Sequence, residues 1–173
     1  MLKSLIIYSS TEGQTKLISE RIGSSMRINN NKIISIEEAD SIDLSNYDQI
    51  IIGASIRYGK HSNKVLKLIK KNKKILDVKK TAFFSVNVTA RKYEKSTPET
   101  NPYVLKFLKK TNWKPSKTAV FAGKIDYPRY SFFDKHIIRL IMFITKGPTD
   151  LRKTYEFTDW NKVDEFSSDL SNY

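Results

Sequence analysis

The sequence predicts an α/β domain built on a doubly wound, five-stranded parallel sheet in the order 2-1-3-4-5. Three observations lead there. Short, continuously apolar runs recur at Leu5-Ile6-Ile7, Ile50-Ile51-Ile52 and Ala82-Phe83-Phe84, and such runs suit strands buried on both faces. Segments of helical spacing alternate with them, the order that packs helices on both sides of parallel strands. The three most polar strand exits, 10–15, 54–60 and 87–97, then converge on one crevice at the carboxyl ends of the strands, beside the switch point.

Taken in order, residues 2–9 read as a buried strand and 16–26 as a helix with Leu17, Ile18, Ile22 and Met26 on one face. Asn29-Asn30-Asn31 reads as a turn and 32–36 as a short strand, followed by a polar connection through Asp40 and Asp43. Residues 47–53 form the third strand, which opens into Gly53-Ala54-Ser55-Ile56-Arg57-Tyr58-Gly59, a loop with glycine at both ends. A helix over 62–72 turns Val65, Leu66 and Ile69 inward; a strand over 81–86 leaves into the polar loop 87–97. The next helix spans 98–111 with Tyr103, Leu105, Phe107 and Leu108 as its apolar positions, and 118–125 is the fifth strand. A short strand over 155–158 and a helix over 159–170 close the chain.

At 173 residues the chain reads as one domain spanning 1–173, with no linker, repeat or low-complexity block. The absence of cysteine excludes disulfides, thiolate metal sites and cysteine nucleophiles. His61 and His136 are the only histidines and lack ligand spacing, so no metal is expected. Met1-Leu2-Lys3-Ser4 enters a strand directly without a signal-peptide layout, which places the protein in the cytoplasm or on a cytoplasmic face. A net charge of +13 and a pI near 9.8 draw it to polyanions: nucleic acid, an anionic bilayer or acidic small molecules. Aromatic residues are not interleaved with basic ones along a strand, as a nucleic-acid platform requires, so no nucleic acid is expected.

The first crevice loop carries the clearest chemistry. After the first strand come Ser10, Thr11, Glu12, Gly13, Gln14 and Thr15, with a helix opening directly behind. Hydroxyls, an amide and exposed N–H groups at a helix N-terminus form a place for a phosphate. The loop is neither G-x-x-x-x-G-K-[ST] nor G-x-G-x-x-G. An ordinary strand-to-helix turn capped by serine or threonine remains the alternative.

Ser10 to Thr15 resembles the FMN-phosphate loop of flavodoxins, T-x-T-G-x-T. The run from Gly53 to Gly59 extends the likeness, with Ser85-Val86-Asn87, Ala90-Arg91-Lys92, Glu94-Lys95, Thr97-Pro98 and Thr100-Asn101. Tyr127-Pro128-Arg129-Tyr130, Leu140-Ile141-Met142 and Thr158-Asp159-Trp160 complete it. Together they are similar to the bacterial menaquinone-dependent protoporphyrinogen IX dehydrogenases, flavodoxin-like enzymes of haem synthesis. The resemblance covers 5–160 and implies FMN as cofactor, protoporphyrinogen IX as substrate and menaquinone or a related quinone as acceptor.

It also implies which residues meet the flavin: Ser10 to Thr15, then Ala54, Ser55, Ile56, Arg57 and Tyr58, then Ser85, Val86, Asn87, Val88 and Thr89. Glu12 stands where flavodoxins have a hydroxyl; it is expected to point to solvent or a nearby lysine. Tyr58 suits stacking on the ring, and Arg57 suits an anionic reduced flavin or a substrate carboxylate. Arg129 is a second candidate for a substrate carboxylate. No residue stands out as catalytic acid or base. A flavodoxin-like electron carrier or quinone reductase that ignores porphyrinogen is the alternative function.

Residues 126–153 form an insertion whose centre, 132–146, is helical in pattern and ends at Gly147-Pro148. Phe133, Ile137, Leu140, Ile141 and Ile144 form one stripe, and Lys135, Arg139 and Lys146 fall opposite. The run is shorter than the roughly 20 residues a bilayer span needs. Packing on the domain, walling the substrate site and lying in a membrane interface are its three readings. Apolar residues outside the stripe (Phe132, Met142 and Phe143) and the basic charge favour the interface. The expected location is therefore peripheral, on the cytoplasmic side of the inner (plasma) membrane.

Overall fold

The computed structural model describes residues 2–26 and 31–172. In chain order these form β1 (Ser4–Ser9), α1 (Gln14–Ser25), β2 (Asn31–Ser35), β3 (Gln49–Arg57), β4 (Lys60–His61), α2 (Asn63–Lys71) and α3 (Lys73–Leu76). Then follow β5 (Lys80–Val86), α4 (Pro102–Thr111), β6 (Lys117–Phe121), β7 (Lys124–Asp126), α5 (Phe132–Ile144), β8 (Thr154–Glu156) and α6 (Trp160–Ser171). The parallel strands run β2-β1-β3-β5-β6, the expected 2-1-3-4-5 order. Asn29 and Asn30 of the expected turn lie outside the described residues.

Continuous apolar runs are explained by burial on both faces. Leu5, Ile7, Ile50, Ile52 and Phe83 point to one side, against Val65 and Ile69 of α2 and Val104 and Phe107 of α4. Their neighbours Ile6, Ile51, Ala82 and Phe84 point to the other, against Ile18 and Ile22 of α1 and Val163, Phe166 and Leu170 of α6. Strand alternation thus divides one sequence run between two cores. Leu17 and Leu105, expected inward, are about half exposed at 47% and 50%; Ile18 and Val104 beside them take the buried positions.

Several boundaries differ from the sequence reading. The third strand does not stop at Gly53. Ala54 pairs with Ser9 and Ser85, and the strand continues to Arg57 before folding back on Lys60. Tyr58 and Gly59 make that two-residue turn with φ of +49° and +74°, the pair of positive φ values a twisted hairpin demands. Gly53 marks a close approach instead: a Cβ there would stand 2.1 Å from Cζ of the Phe84 ring. The expected fifth strand is two pieces. β6 ends at Phe121 because its partner β5 ends at Val86, and 124–126 pairs antiparallel with 154–156 in a separate ribbon. The 98–111 helix starts only at Pro102, where Asn101 caps it by accepting from the N–H groups of Tyr103 and Val104.

The insertion helix buries little of its stripe in the domain. Met142 alone is buried, packed with Ile125 and Tyr127, and Ile138 is partly so. Phe133, Ile137, Leu140, Ile141 and Ile144 are all exposed.

Replacing Gly53 with alanine forces a methyl into the fully buried Phe84 ring. The Gly53→Ala protein is expected to lose about 2 kcal/mol of stability, read as a lower urea midpoint. Adding Phe84→Leu should return part of that loss, as an independent cost would not.

Candidate functional site

A cavity of about 390 Å³ opens at the carboxyl ends of β1, β3 and β5. Residues 10–12, 14, 15, 55–58 and 86–89 line it, as the sequence predicts. Gly13, Ala54, Ser85 and Arg129 do not: Ala54 and Ser85 are buried in the sheet, and Arg129 lies on the surface near Asp126. One side is closed by α5 through Ile137, Ile138, Ile141 and Met142.

The first loop ends at Gly13, which takes φ of +91° and leads into α1. Ser10 Oγ accepts from the Gly13 N–H at 3.0 Å and fixes the loop. No side chain caps α1 among the described residues, so its first-turn N–H groups face the loop uncapped. The Thr15 hydroxyl is buried there without a hydrogen-bond partner among the described residues. A buried hydroxyl of that kind costs free energy unless a ligand meets it. The Gln14 side chain is directed elsewhere: its Nε2 donates to Glu156 Oε1 (3.0 Å) and Thr158 Oγ1 (2.9 Å). The amide donor expected of Gln14 is therefore already committed.

Glu12 stays exposed to solvent, as expected, but its partners are not lysines: Tyr130 donates to its Oε2 at 2.8 Å, and Arg57 Nη1 lies 3.6 Å from Oε1. Burial raises its pKa, while the Tyr130 hydrogen bond and the Arg57 charge pull it back. Arg57 reaches further, donating from Nη2 to Asp134 Oδ2 at 2.9 Å. Tyr58 donates to the other oxygen of Asp134 at 2.5 Å, and the Arg57 guanidinium lies 5.1 Å from the Tyr58 ring centre. Hydrogen bonds from Tyr58 and Ser131, then the Arg57 charge, hold Asp134 below the usual carboxylate range. The arginine expected to be free for a ligand anion is thus flanked by two carboxylates.

The third loop is organised from within. Asn87 accepts from Ala90 N–H (3.1 Å) and Asn101 Nδ2 (3.2 Å) and donates to Ser85 Oγ (3.2 Å). Arg91 donates to Val88 O (3.1 Å) and, across the cleft, to Thr145 O (3.1 Å) and Oγ1 (2.7 Å). That contact sets a cation on the C-terminal carbonyls of α5, where the helix dipole favours it. Lys92, Lys95, Tyr103, Lys124 and Tyr130 also line the cavity and were not assigned from sequence. The spacing of Lys92 and Lys95, one 3-10 turn apart directly after a strand exit, was the available signal.

This constellation defines a flavodoxin-type α/β protein with an added helical roof. A flavodoxin-domain family model matches residues 5–152. The fold is shared with oxidised flavodoxin 1 from Bacillus cereus, at a TM-score of 0.56 and 18% identity over 99% of this chain and 98% of that one. Within that class the relatives are more particular. Protoporphyrinogen IX dehydrogenase (quinone) of Leishmania major is 41% identical over 98% of this chain and 74% of that protein. Its namesake from Escherichia coli K12 is 38% identical over 98% of this chain and 95% of that one. The chain belongs to this family of quinone-dependent protoporphyrinogen IX dehydrogenases, which are oxidoreductases.

Beneath the third loop, His61 is buried beside Phe83 and Phe107, with Nε2 2.9 Å from Ser85 Oγ. Burial lowers its pKa from 6.5 to about 4. The unfolded chain therefore binds the proton first. The contribution of neutral His61 is complete above pH 6.5 and is lost as pH falls through about 4. Urea unfolding should show a decline of roughly 3 kcal/mol across that window. In the His61→Gln protein that share of the decline should be missing.

Proposed function

We propose that this protein binds FMN and oxidises protoporphyrinogen IX to protoporphyrin IX in haem synthesis, passing the electrons to a membrane quinone such as menaquinone. The observation that carries the reading is the uncapped start of α1 with the buried, unpartnered Thr15 hydroxyl at the cavity. That donor set fits a phosphate monoester: Ser10, Thr11 and Thr15 hydroxyls with the first-turn N–H groups would hold it. Family membership supplies the substrate and acceptor.

When bound, the flavin supplies a two-electron acceptor that the side chains lack. The protein's part is to bind, orient and exclude water. The turn at Tyr58 and the segment 86–89 would flank the ring, and Ile137, Ile138 and Ile141 offer an apolar wall. Glu12 and Asp134 hold Arg57 in place, so its charge is fixed in the cleft. Anaerobic mixing of FMN-loaded protein with protoporphyrinogen IX is expected to bleach the flavin band and raise porphyrin fluorescence. A menaquinone analogue should then restore the band. A flavin that binds but is never bleached would leave an electron carrier or quinone reductase instead.

The acceptor also gives the exposed face of α5 a purpose: contact with an anionic bilayer on the cytoplasmic side of the plasma membrane. Phe132, Phe133 and Phe143 are 72%, 77% and 74% exposed, with Leu140 and Ile144 beside them. Lys135, Arg139 and Lys146 lie on or beside the same helix, and the whole chain carries +13. Apolar anchors flanked by cations suit an interfacial helix on acidic lipid. Among the described residues no helix is long and apolar enough to cross a membrane. The protein is expected to sediment with vesicles containing phosphatidylglycerol, and Phe133→Ser with Phe143→Ser to weaken that binding at least about tenfold. Unchanged sedimentation of the double variant would overturn the docking.

A further inference from the structure

Two cations of the cavity take no part in the networks above. Glu12 and Asp134 are neutralised by Arg57. Arg91 is engaged by Val88 and Thr145, and Lys124 lies 3.9 Å from Asp126. Lys92 and Lys95 line the same cavity, are half-buried, and have no carboxylate within ion-pair distance among the described residues.

Their spacing is built by the backbone. Lys95 N–H donates to Lys92 O at 2.9 Å, closing a 3-10 turn. Lys92 caps the turn with an extended backbone and Lys95 ends it, and both residues line the cavity. Tyr93 and Glu94 between them are exposed. Asn101 fixes the turn by donating from Nδ2 to Lys95 O at 2.8 Å and to Asn87 Oδ1 at 3.2 Å. The pair is therefore set in a defended position of the wall.

We infer that Lys92 and Lys95 form a dicarboxylate subsite that binds two neighbouring carboxylates of an otherwise apolar ligand. The inference rests on the function proposed above, under which those carboxylates are the two adjacent propionates of protoporphyrinogen IX. One ammonium meets each carboxylate in a charge-assisted hydrogen bond, and the apolar macrocycle faces Ile137, Ile138 and Ile141 of α5. This replaces the arginines expected from sequence for the role, since Arg57 is flanked by acids and Arg129 lies outside the cavity.

The test uses the flavin-loaded protein with Lys92→Gln, Lys95→Gln and the double substitution. Protoporphyrin IX and its dimethyl ester are titrated by fluorescence, and porphyrinogen turnover is measured alongside. The wild type is expected to prefer the diacid. Each substitution should raise the diacid Kd and KM about tenfold, the loss falling on KM rather than kcat, while the ester's Kd stays put. Lys92→Arg and Lys95→Arg should restore diacid binding. Equal affinity of the wild type for diacid and ester, or substitutions that weaken both alike, would overturn the subsite. A wild type that prefers the diacid through this pair yet never oxidises porphyrinogen would remove the proposed function and leave the subsite standing.

Discussion

Arg57 holds the cleft together. Its guanidinium lies between Glu12 of the first loop and Asp134 of α5, while Arg57 itself ends β3. Three segments distant in sequence are thereby fixed at one point. Partial burial makes the arrangement consequential. A carboxylate in such a place is destabilised by lost hydration, and here each acid has both a cation and a tyrosine hydroxyl, Tyr130 for Glu12 and Tyr58 for Asp134. Removing the cation would leave two acids facing each other across the site. The position is therefore structural as much as chemical, and the cations available for a ligand are found elsewhere in the wall.

The sheet was legible in the sequence because its signal is redundant. Ile50-Ile51-Ile52 has to be buried on both sides, and alternation with helical segments leaves few ways to arrange five such strands. Boundaries were less legible where one residue type serves two purposes. Gly53 and Gly59 look alike as punctuation, yet Gly59 makes a turn and Gly53 admits the Phe84 ring. Only the packed neighbour distinguishes them. The split of 118–125 into two sheets depends on where β5 stops, a long-range fact absent from the local pattern.

At the site, position was easier to read than partnership. The loops that line the cavity followed from topology, and thirteen of the predicted positions (10–12, 14, 15, 55–58 and 86–89) do line it. What each side chain binds did not follow. Gln14 is committed to Glu156 and Thr158, more than 140 residues along the chain. The surroundings of α5 were left open between packing, walling the site and an interface; the structure leaves its stripe exposed, and polar contacts tie its ends, Asp134 to Arg57 and Thr145 to Arg91.

That manner of attachment separates the roof from the rest of the molecule energetically. The two cores flanking the sheet contain no residue of α5, and Met142 is its one buried side chain. Lifting the helix therefore breaks a few charge-assisted hydrogen bonds and one small apolar cluster, and leaves the sheet intact. An opening of that kind would be a local event, costing less than unfolding the sheet. It is also sensitive to ionic strength in a way the sheet is not.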